Sequence, residues 1–242
     1  MVNLRGDVWG TFVGAVGTSR GPRLGAVYTS GDAAVIELGE VNGICFTDPM
    51  SCRSGFTVSL WLKRKTLYSN KVTQRQVILS IGDRFNDLVT FKLLQKSGKT
   101  EEHLAVRVLA SSRKCVRIFS VPRNMWSQFI FVWNATDVDI FRNGVKVDQY
   151  LDGGYCTNQT VEEVFQSEQV VTLRGDAEFD DLQIWNRALA PSEISEMFTC
   201  IRGNTTGSLL KLLLRGFFVK KCLLNDLLGR VKQVKYTRAV SQ

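Results

Sequence analysis

From about residue 26 to 186 the chain reads as short β-prone runs separated by turn residues. That succession fits a sandwich or a barrel, not alternating βαβ units. The clearest run is 56–63, FTVSLWLK. Successive side chains of a strand point to opposite faces. Phe56, Val58, Leu60 and Leu62 therefore share an apolar face, and Thr57, Ser59, Trp61 and Lys63 share the other. Further runs at 35–38, 77–81, 88–94, 104–109, 116–121, 170–173 and 179–185 follow at similar spacing. The run 126–133 is apolar on both faces after Gln128 and predicts a central strand. Asn143-Gly144 lies between two runs and predicts a type I′ hairpin, which needs positive φ at both turn residues. Residues 191–198 predict one short helix, with Pro191 in its first turn and acids near its N-terminus.

The N-terminal stretch carries Gly14, Gly17, Gly21 and Gly25. No GK[ST] follows, so a phosphate loop is not expected, and the glycines read as turns. No run of 18 apolar residues predicts a transmembrane helix. The first residues show no compact apolar segment with a cleavage site, as a signal peptide would.

The formal net charge of +8 points at first sight to polyanions. Its distribution says otherwise. Residues 208–242 hold eight bases against one acid, Asp226, a net of +7. The first 207 residues are then near neutral, at +1, and specific nucleic-acid binding is not expected of them. In the tail, Leu210, Leu213, Leu214, Phe217, Leu224, Leu227, Leu228, Val231 and Val234 follow helical spacing, interrupted at Gly216 and Gly229. Three arrangements fit it: packing on the domain or a partner, a loose appendage, or an amphipathic segment on an anionic membrane surface.

There is one histidine, His103, at the start of an alternating run, which weighs against multi-imidazole chemistry. The six cysteines are Cys45, Cys52, Cys115, Cys156, Cys200 and Cys222, and none forms CxxC. Cys45 and Cys52 bracket a turn-rich loop and are expected to bridge. The other pairings stay open among 15, with Cys115 and Cys156 as further candidates. Asn134, Asn158 and Asn204 each begin an N-x-S/T sequon. An even cysteine count with three sequons points to an oxidising, secretory compartment. A chain beginning inside a longer precursor reconciles this with the missing signal peptide.

Three segments carry a resemblance: 45–63, CFTDPMSCRSGFTVSLWLK; Trp126, Trp133 and 140–144, IFRNG; and 179–194, FDDLQIWNRALAPSEI. In order and spacing they resemble the laminin G-like jelly roll, close to the pentraxin-like branch of the concanavalin A-like lectin/glucanase superfamily. The resemblance covers roughly residues 5–200. It implies an all-β, two-sheet antiparallel jelly-roll sandwich with one short C-terminal helix, over residues 1–200, followed by a basic tail over 201–242. It implies a non-catalytic extracellular recognition or adhesion module, or the ectodomain of a larger membrane protein. The implied partner is a glycan or an extracellular protein.

Some members of that family bind calcium through acids near the closing strand, and Asp180 and Asp181 match those positions. Calcium takes six to eight oxygens, and the acid-rich stretch of pentraxins is only 173–178, LRGDAE, here. The glucanase branch carries Glu-x-Asp-x-x-Glu. Here Glu178, Asp180 and Gln183 stand at those places, with an amide where the second catalytic carboxylate belongs. A glycosidase and a tail-driven membrane-surface or polyanion binder are the rival functions. The family's first strand is either missing, leaving an unpaired edge, or supplied by residues 8–13. Cys200 is then left without its usual partner, and Cys222 is a substitute or a free thiol. The tripeptide Arg174-Gly175-Asp176 reads as a chance match to an integrin motif.

Overall fold

A computed structural model describes residues 2–4, 8–19, 21–22, 26–40, 54–64, 75–82, 87–94, 102–110, 113–148, 150–151, 154–158, 170–203 and 232–233. Its strands are β1 Val2–Leu4, β2 Val8–Ser19, β3 Ala26–Glu40, β4 Phe56–Arg64, β5 Arg75–Gly82, β6 Asp87–Leu94, β7 Glu102–Ala110 and β8 Arg113–Val121. They continue with β9 Ser127–Trp133, β10 Val138–Arg142, β11 Val145–Lys146, β12 Tyr155–Asn158, β13 Val170–Arg174, β14 Ala177–Trp185 and β15 Lys232–Gln233. The helix α1 spans Pro191–Gly203.

All strand pairs are antiparallel, in the order β11-β10-β9-β4-β14-β3-β13-β5-β6-β7-β8-β12. The ladder is continuous because β3 serves two layers. Its residues Val27, Tyr28 and Thr29 pair with β14, and its residues from Val35 to Glu40 pair with β13. Strands change sheets at bulges and bends. Here β2, which flanks β3 throughout, pairs Val13 with Val35 and Ala15 with Ser30, so Gly14 alone faces residues 31–34. Gly14 has φ 78°, a conformation that costs glycine little. The layers face each other through apolar side chains. Phe119 on β8 packs on Phe129 and Phe131 of β9, at 5.7 and 6.4 Å between ring centroids, although β8 and β9 are not paired. Phe56, Val58, Leu60 and Leu62 lie in this core, as their alternation predicts.

A second, smaller core lies outside the β4/β9/β14 layer. Ile130, Val132, Phe141 and Trp185 are covered there by Leu189 and Ile194 of α1 and its lead-in. The lead-in is fastened by Thr57, whose Oγ1 donates to the Arg187 carbonyl (2.9 Å) and accepts from the Leu189 N–H (3.0 Å). Pro191 opens the helix, and Glu193 Oε2 accepts from the Ala190 N–H (2.9 Å), half of a capping box.

Several expectations are corrected. Gly14 and Gly17 do not make turns: residues 8–19 are a strand, so of the two alternatives for the family's first strand the one supplied from residues 8–13 holds and extends to Ser19, while Gly21 lies in the connection to β3 and Gly25 lies outside the described residues. Pairing with β3 on both sides of Gly14 supplies the backbone partners that glycine-poor propensity does not. The run at 35–38 is part of a 15-residue strand. The helix extends past 198 to Gly203 and includes Cys200. At Lys232–Gln233 the tail is extended, not helical, and pairs with Ile184 and Gln183. The reason is an open edge. β3 accompanies β14 only to Phe179, and the backbone groups beyond it need partners. The remainder of 208–242, Cys45, Cys52, Cys222 and Asn204 lie outside the described residues.

Candidate functional site

The outer face of β4 changes character along its length. At the Thr57 end the neighbouring strands β9, β10 and β14 surround it with apolar side chains capped by α1. Toward Arg64 it becomes polar, and cross-strand register assembles two rows. Trp61 pairs with Gln128 on one side and Asp180 on the other. Lys63 pairs with Glu178, Glu178 with Tyr28, and Tyr28 with Gly17. Directly opposite residues share a face, so these side chains form one surface. A Cβ at Gly17 would run into the Tyr28 ring, so glycine lets the tyrosine lie flat over β2.

Both oxygens of Glu178 are engaged. Lys63 Nζ donates to Oε1 (3.2 Å) and Ser19 Oγ donates to Oε2 (2.6 Å). The same ammonium lies 6.0 Å from the ring centroid of the partly exposed Trp126. In the neighbouring row, the Asp180 carboxylate occupies the place where a Cβ at Gly21 would stand. Trp61 stacks on Phe198 of α1 at 6.3 Å between centroids.

A bulge shapes the acidic part. Asp180 faces Trp61 and Gln183 faces Ser59, so Asp181 and Leu182 together oppose Leu60. Asp181 takes φ 48°, and its Oδ1 accepts from Gln183 Nε2 (2.8 Å). The extra residue moves Gln183 onto the face of Glu178 and Asp180. Glu178, Asp180 and Gln183 thus share one side of the sheet. An amide has no titratable proton for general acid–base exchange.

Asp180 and Asp181, the expected calcium ligands, lie side by side at the bulge. Among the described residues they do not meet a third acidic, histidine or cysteine ligand group at metal-binding distance. Two carboxylates fall short of a calcium shell of six to eight oxygens. Among the described residues the one such group of three is Cys115, Asp137 and Cys156. There the two sulfurs are bonded to each other, leaving no thiolates to bind a metal.

That disulfide joins residues directly opposite on β8 and β12. Of the sequon asparagines, Asn134 is exposed in the turn before β10, where its Oδ1 accepts from Thr136 Oγ1 (2.7 Å) and the Asp137 N–H (2.9 Å). Asn158 is exposed at the end of β12. His103 is a buried residue of β7. Asp176 is 3% exposed and its carbonyl accepts from Arg64 (2.7 Å), so the 174–176 tripeptide is not presented to a receptor.

Sequence reasoning missed Ser19, Tyr28, Trp126 and Gln128 as members of the surface that carries Trp61 and Lys63. The only signal was the polar set Thr57, Ser59 and Lys63 around Trp61 on the second face of β4. Their partners depend on register.

Residues 38–195 match the profile of the family described as the concanavalin A-like lectin/glucanases superfamily. No curated protein matches the chain. Among solved structures, it is similar to domain 4 of AbnA, a GH43 extracellular arabinanase from Geobacillus stearothermophilus, in complex with arabinotriose. The identity is 17%, over 77% of this chain and 86% of that one, with TM-score 0.46. It is similar to a mutant Trypanosoma rangeli sialidase displaying trans-sialidase activity, at 14% identity over 85% of this chain and 33% of that one, TM-score 0.48. The CBM2 module of the Lactobacillus casei BL23 phage J-1 evolved Dit follows, at 11%, 73% and 81%, TM-score 0.44. At these identities and scores the likenesses carry no weight for function.

Proposed function

The chain belongs to the concanavalin A-like lectin/glucanases superfamily, and from that membership we propose that it is a non-catalytic extracellular recognition module for glycans. Fold alone does not decide function. The reading is carried by one observation: the polar row across the outer face, from Trp126 through Lys63 and Glu178 to Ser19. An aromatic ring beside a charged donor, a carboxylate and hydroxyls is the mixture that recognises sugars. The ring covers C–H surface, and the polar groups exchange hydrogen bonds with hydroxyls.

Three features support the non-catalytic part. Gln183 supplies an amide where the glucanase branch needs its second carboxylate. Asp181 Oδ1 is held by that amide. Glu178 is tied on both oxygens. The extracellular part rests on the Cys115–Cys156 disulfide and the exposed sequons at Asn134 and Asn158. Among the described residues no helix is long and apolar enough to cross a membrane. With only Asp180 and Asp181 as ligands at the bulge, binding is proposed not to require calcium. The basic tail, paired to β14 at Lys232–Gln233, is proposed to pack on its own domain.

A glycan array probed with the intact chain, with and without a chelator, tests the reading. Retention of a defined glycan family by the folded chain in both conditions is expected. Retention of none, or only by heat-denatured chain, overturns it. Loss in chelator overturns calcium independence.

A further inference from the structure

Cys115 on β8, Cys156 directly opposite on β12, and Asp137 in the turn leading into β10 converge from three elements. One ligand atom from each, two sulfurs and a carboxylate oxygen, lie within 4.8 Å of one another. Cys156 Sγ is 3.2 Å from Asp137 Oδ1. Asp137 is braced. Its N–H donates to Asn134 Oδ1 (2.9 Å), its carbonyl accepts from the Asn134 N–H (3.2 Å), and its own Oδ1 accepts from the Val138 N–H (2.6 Å). Arg117, two residues from Cys115 and so on the same face of β8, donates to both carboxylate oxygens at 2.6 Å. Its guanidinium lies 5.3 Å from the centroid of the Tyr150 ring. An S–S bond needs no charge beside it, so the disulfide does not account for this braced carboxylate.

We infer that, once the disulfide is reduced, Cys115, Cys156 and Asp137 form a zinc site. A covalent bond and a metal ion are then alternative fastenings of β12 to β8. Zinc binds thiolate at about 2.3 Å and carboxylate at about 2.0–2.2 Å, and tetrahedral placement sets such atoms about 3.5–3.8 Å apart. The carboxylate already lies near that distance from Cys156, so only the sulfurs have to separate. The flanking pairs, Tyr155 with Val116 and Thr157 with Lys114, keep β12 beside β8 as they do.

The donor set selects the ion. Calcium and magnesium take oxygen ligands, not sulfur. Copper(I) favours sulfur and gains little from a carboxylate, and iron–sulfur clusters take four thiolates. Zinc accepts both donor types. Two thiolates, the Asp137 carboxylate and the Arg117 guanidinium together carry two negative charges, which one divalent cation neutralises. Arg117 becomes the outer partner that orients the ligating carboxylate. Cys115 is the buried floor of the site, Cys156 is partly buried, and the Asp137 side chain is 43% exposed. The ion enters from the Asp137 side and takes a water as its fourth ligand.

A dithiol supplies the reduction. It passes two electrons and two protons to the disulfide and becomes a cyclic disulfide itself. The S–S bond breaks and both cysteines become thiols. Zinc then displaces the two thiol protons into solvent. The site is independent of the glycan reading.

The test reduces the intact chain with dithiothreitol, removes the reductant under anaerobic conditions, and titrates with Co2+ and then Zn2+. Thiolate-to-cobalt charge transfer in the near ultraviolet counts the metal held by sulfur. The other four cysteines are common to wild type and variants, so the comparisons isolate this site. Reduced wild type is expected to bind one cobalt more than Cys115→Ser with Cys156→Ser, to yield it to zinc, and to release it on reoxidation. Asp137→Asn keeps the shape of the side chain and removes its charge. It is expected to weaken that cobalt roughly tenfold or more, since even an outer partner of a ligand is worth that much. Equal uptake by reduced wild type and the double variant overturns the site, as does equal uptake by reduced and oxidised wild type. Unchanged affinity in Asp137→Asn overturns it too. Circular dichroism reports the fold. If the double variant does not fold, the ratio of affinities between wild type and Asp137→Asn decides alone. If reduced wild type unfolds and neither metal refolds it, the site falls.

Discussion

Phe198, near the end of α1, stacks on Trp61 and at the same time lies where a side chain at Gly144 would stand. A Cβ built on Gly144 comes within 2.9–3.2 Å of the Phe198 side chain. The hairpin turn, the helix and the polar face are therefore in one chain of contact. Gly144 also has φ 80° and Asn143 φ 53°, as a type I′ turn requires. Gly144→Ala is expected to lower stability by about 2 kcal/mol, combining left-handed strain with displacement of Phe198. Urea denaturation measures the loss, and the Trp61 indole resonance should move in the folded variant. Unchanged stability with an unmoved resonance would show that Phe198 does not press on this turn.

Cys115 and Cys156 close a stretch of chain with a sequence separation of 41 and fasten β12 to the edge of its layer. For a loop of that size, loop-closure entropy assigns the bridge about 4 kcal/mol. Replacing both cysteines with serine is expected to remove about 2–4 kcal/mol, measured by denaturant titration under oxidising conditions. Reductant should bring the wild type toward the variant. A loss below about 1 kcal/mol would mean that β12 adds little to the fold.

Glu102 stands between two guanidinium groups. Its carboxylate is 3.3 Å from Arg123 Nε and 3.5 Å from Arg64 Nε. Burial pushes the Arg64 pKa down, while Glu102 and Asp176 oppose that shift. Arg64 and Glu102 are both nearly inaccessible, and they tie the end of β4 to the start of β7 in the other layer. Removing one partner of such a pair leaves a buried charge uncompensated, at about 3–5 kcal/mol. Glu102→Leu is expected to cost that much, and Glu102→Leu with Arg64→Met to recover most of it. A double variant as unstable as the single one would place the cost in packing instead of charge.

How legible this was in the sequence differs from element to element. The alternation at 56–63 correctly separated Leu60 from Trp61, because side-chain period is a local property of a strand. Asn143-Gly144 marked its turn for the same local reason. β2 was legible only as the alternative of a strand over 8–13; its second half escaped because Gly14 and Gly17 mimic turn chemistry, and its strand state there comes from pairing with β3 on both sides of Gly14. The pairing of Cys115 with Cys156 follows from β8 and β12 being neighbours, which spacing does not encode. At the site, Asp180 and Asp181 were visible as acids. The bulge at Asp181 that turns Gln183 to the face of Glu178 and Asp180 was not, because it is a mismatch of register against β4. Gln128 joined the face of Trp61 and Lys63 only through cross-strand pairing.

Arg187 and Glu193 meet in a two-pronged contact at the start of α1, with N–O distances of 2.6 and 2.8 Å. The hydrogen bond from Arg187, with help from the Ala190 N–H, holds the Glu193 carboxyl below its ordinary value of 4.5. A carboxyl depressed on folding adds stability above its unfolded pKa, and that stability is lost as pH falls through the folded value. Both side chains are about half exposed, at 50% and 42%, so solvent screening limits the contribution to below about 1 kcal/mol. Glu193→Gln keeps an oxygen for the Ala190 N–H and removes only the charge. Relative to wild type, it is expected to be slightly less stable at neutral pH and indistinguishable well below pH 4.5, with the difference shrinking in high salt. Urea midpoints across that range measure it. A gap between the two proteins that stayed constant into acid would mean that Glu193 stabilises the helix start by its shape and not by its charge.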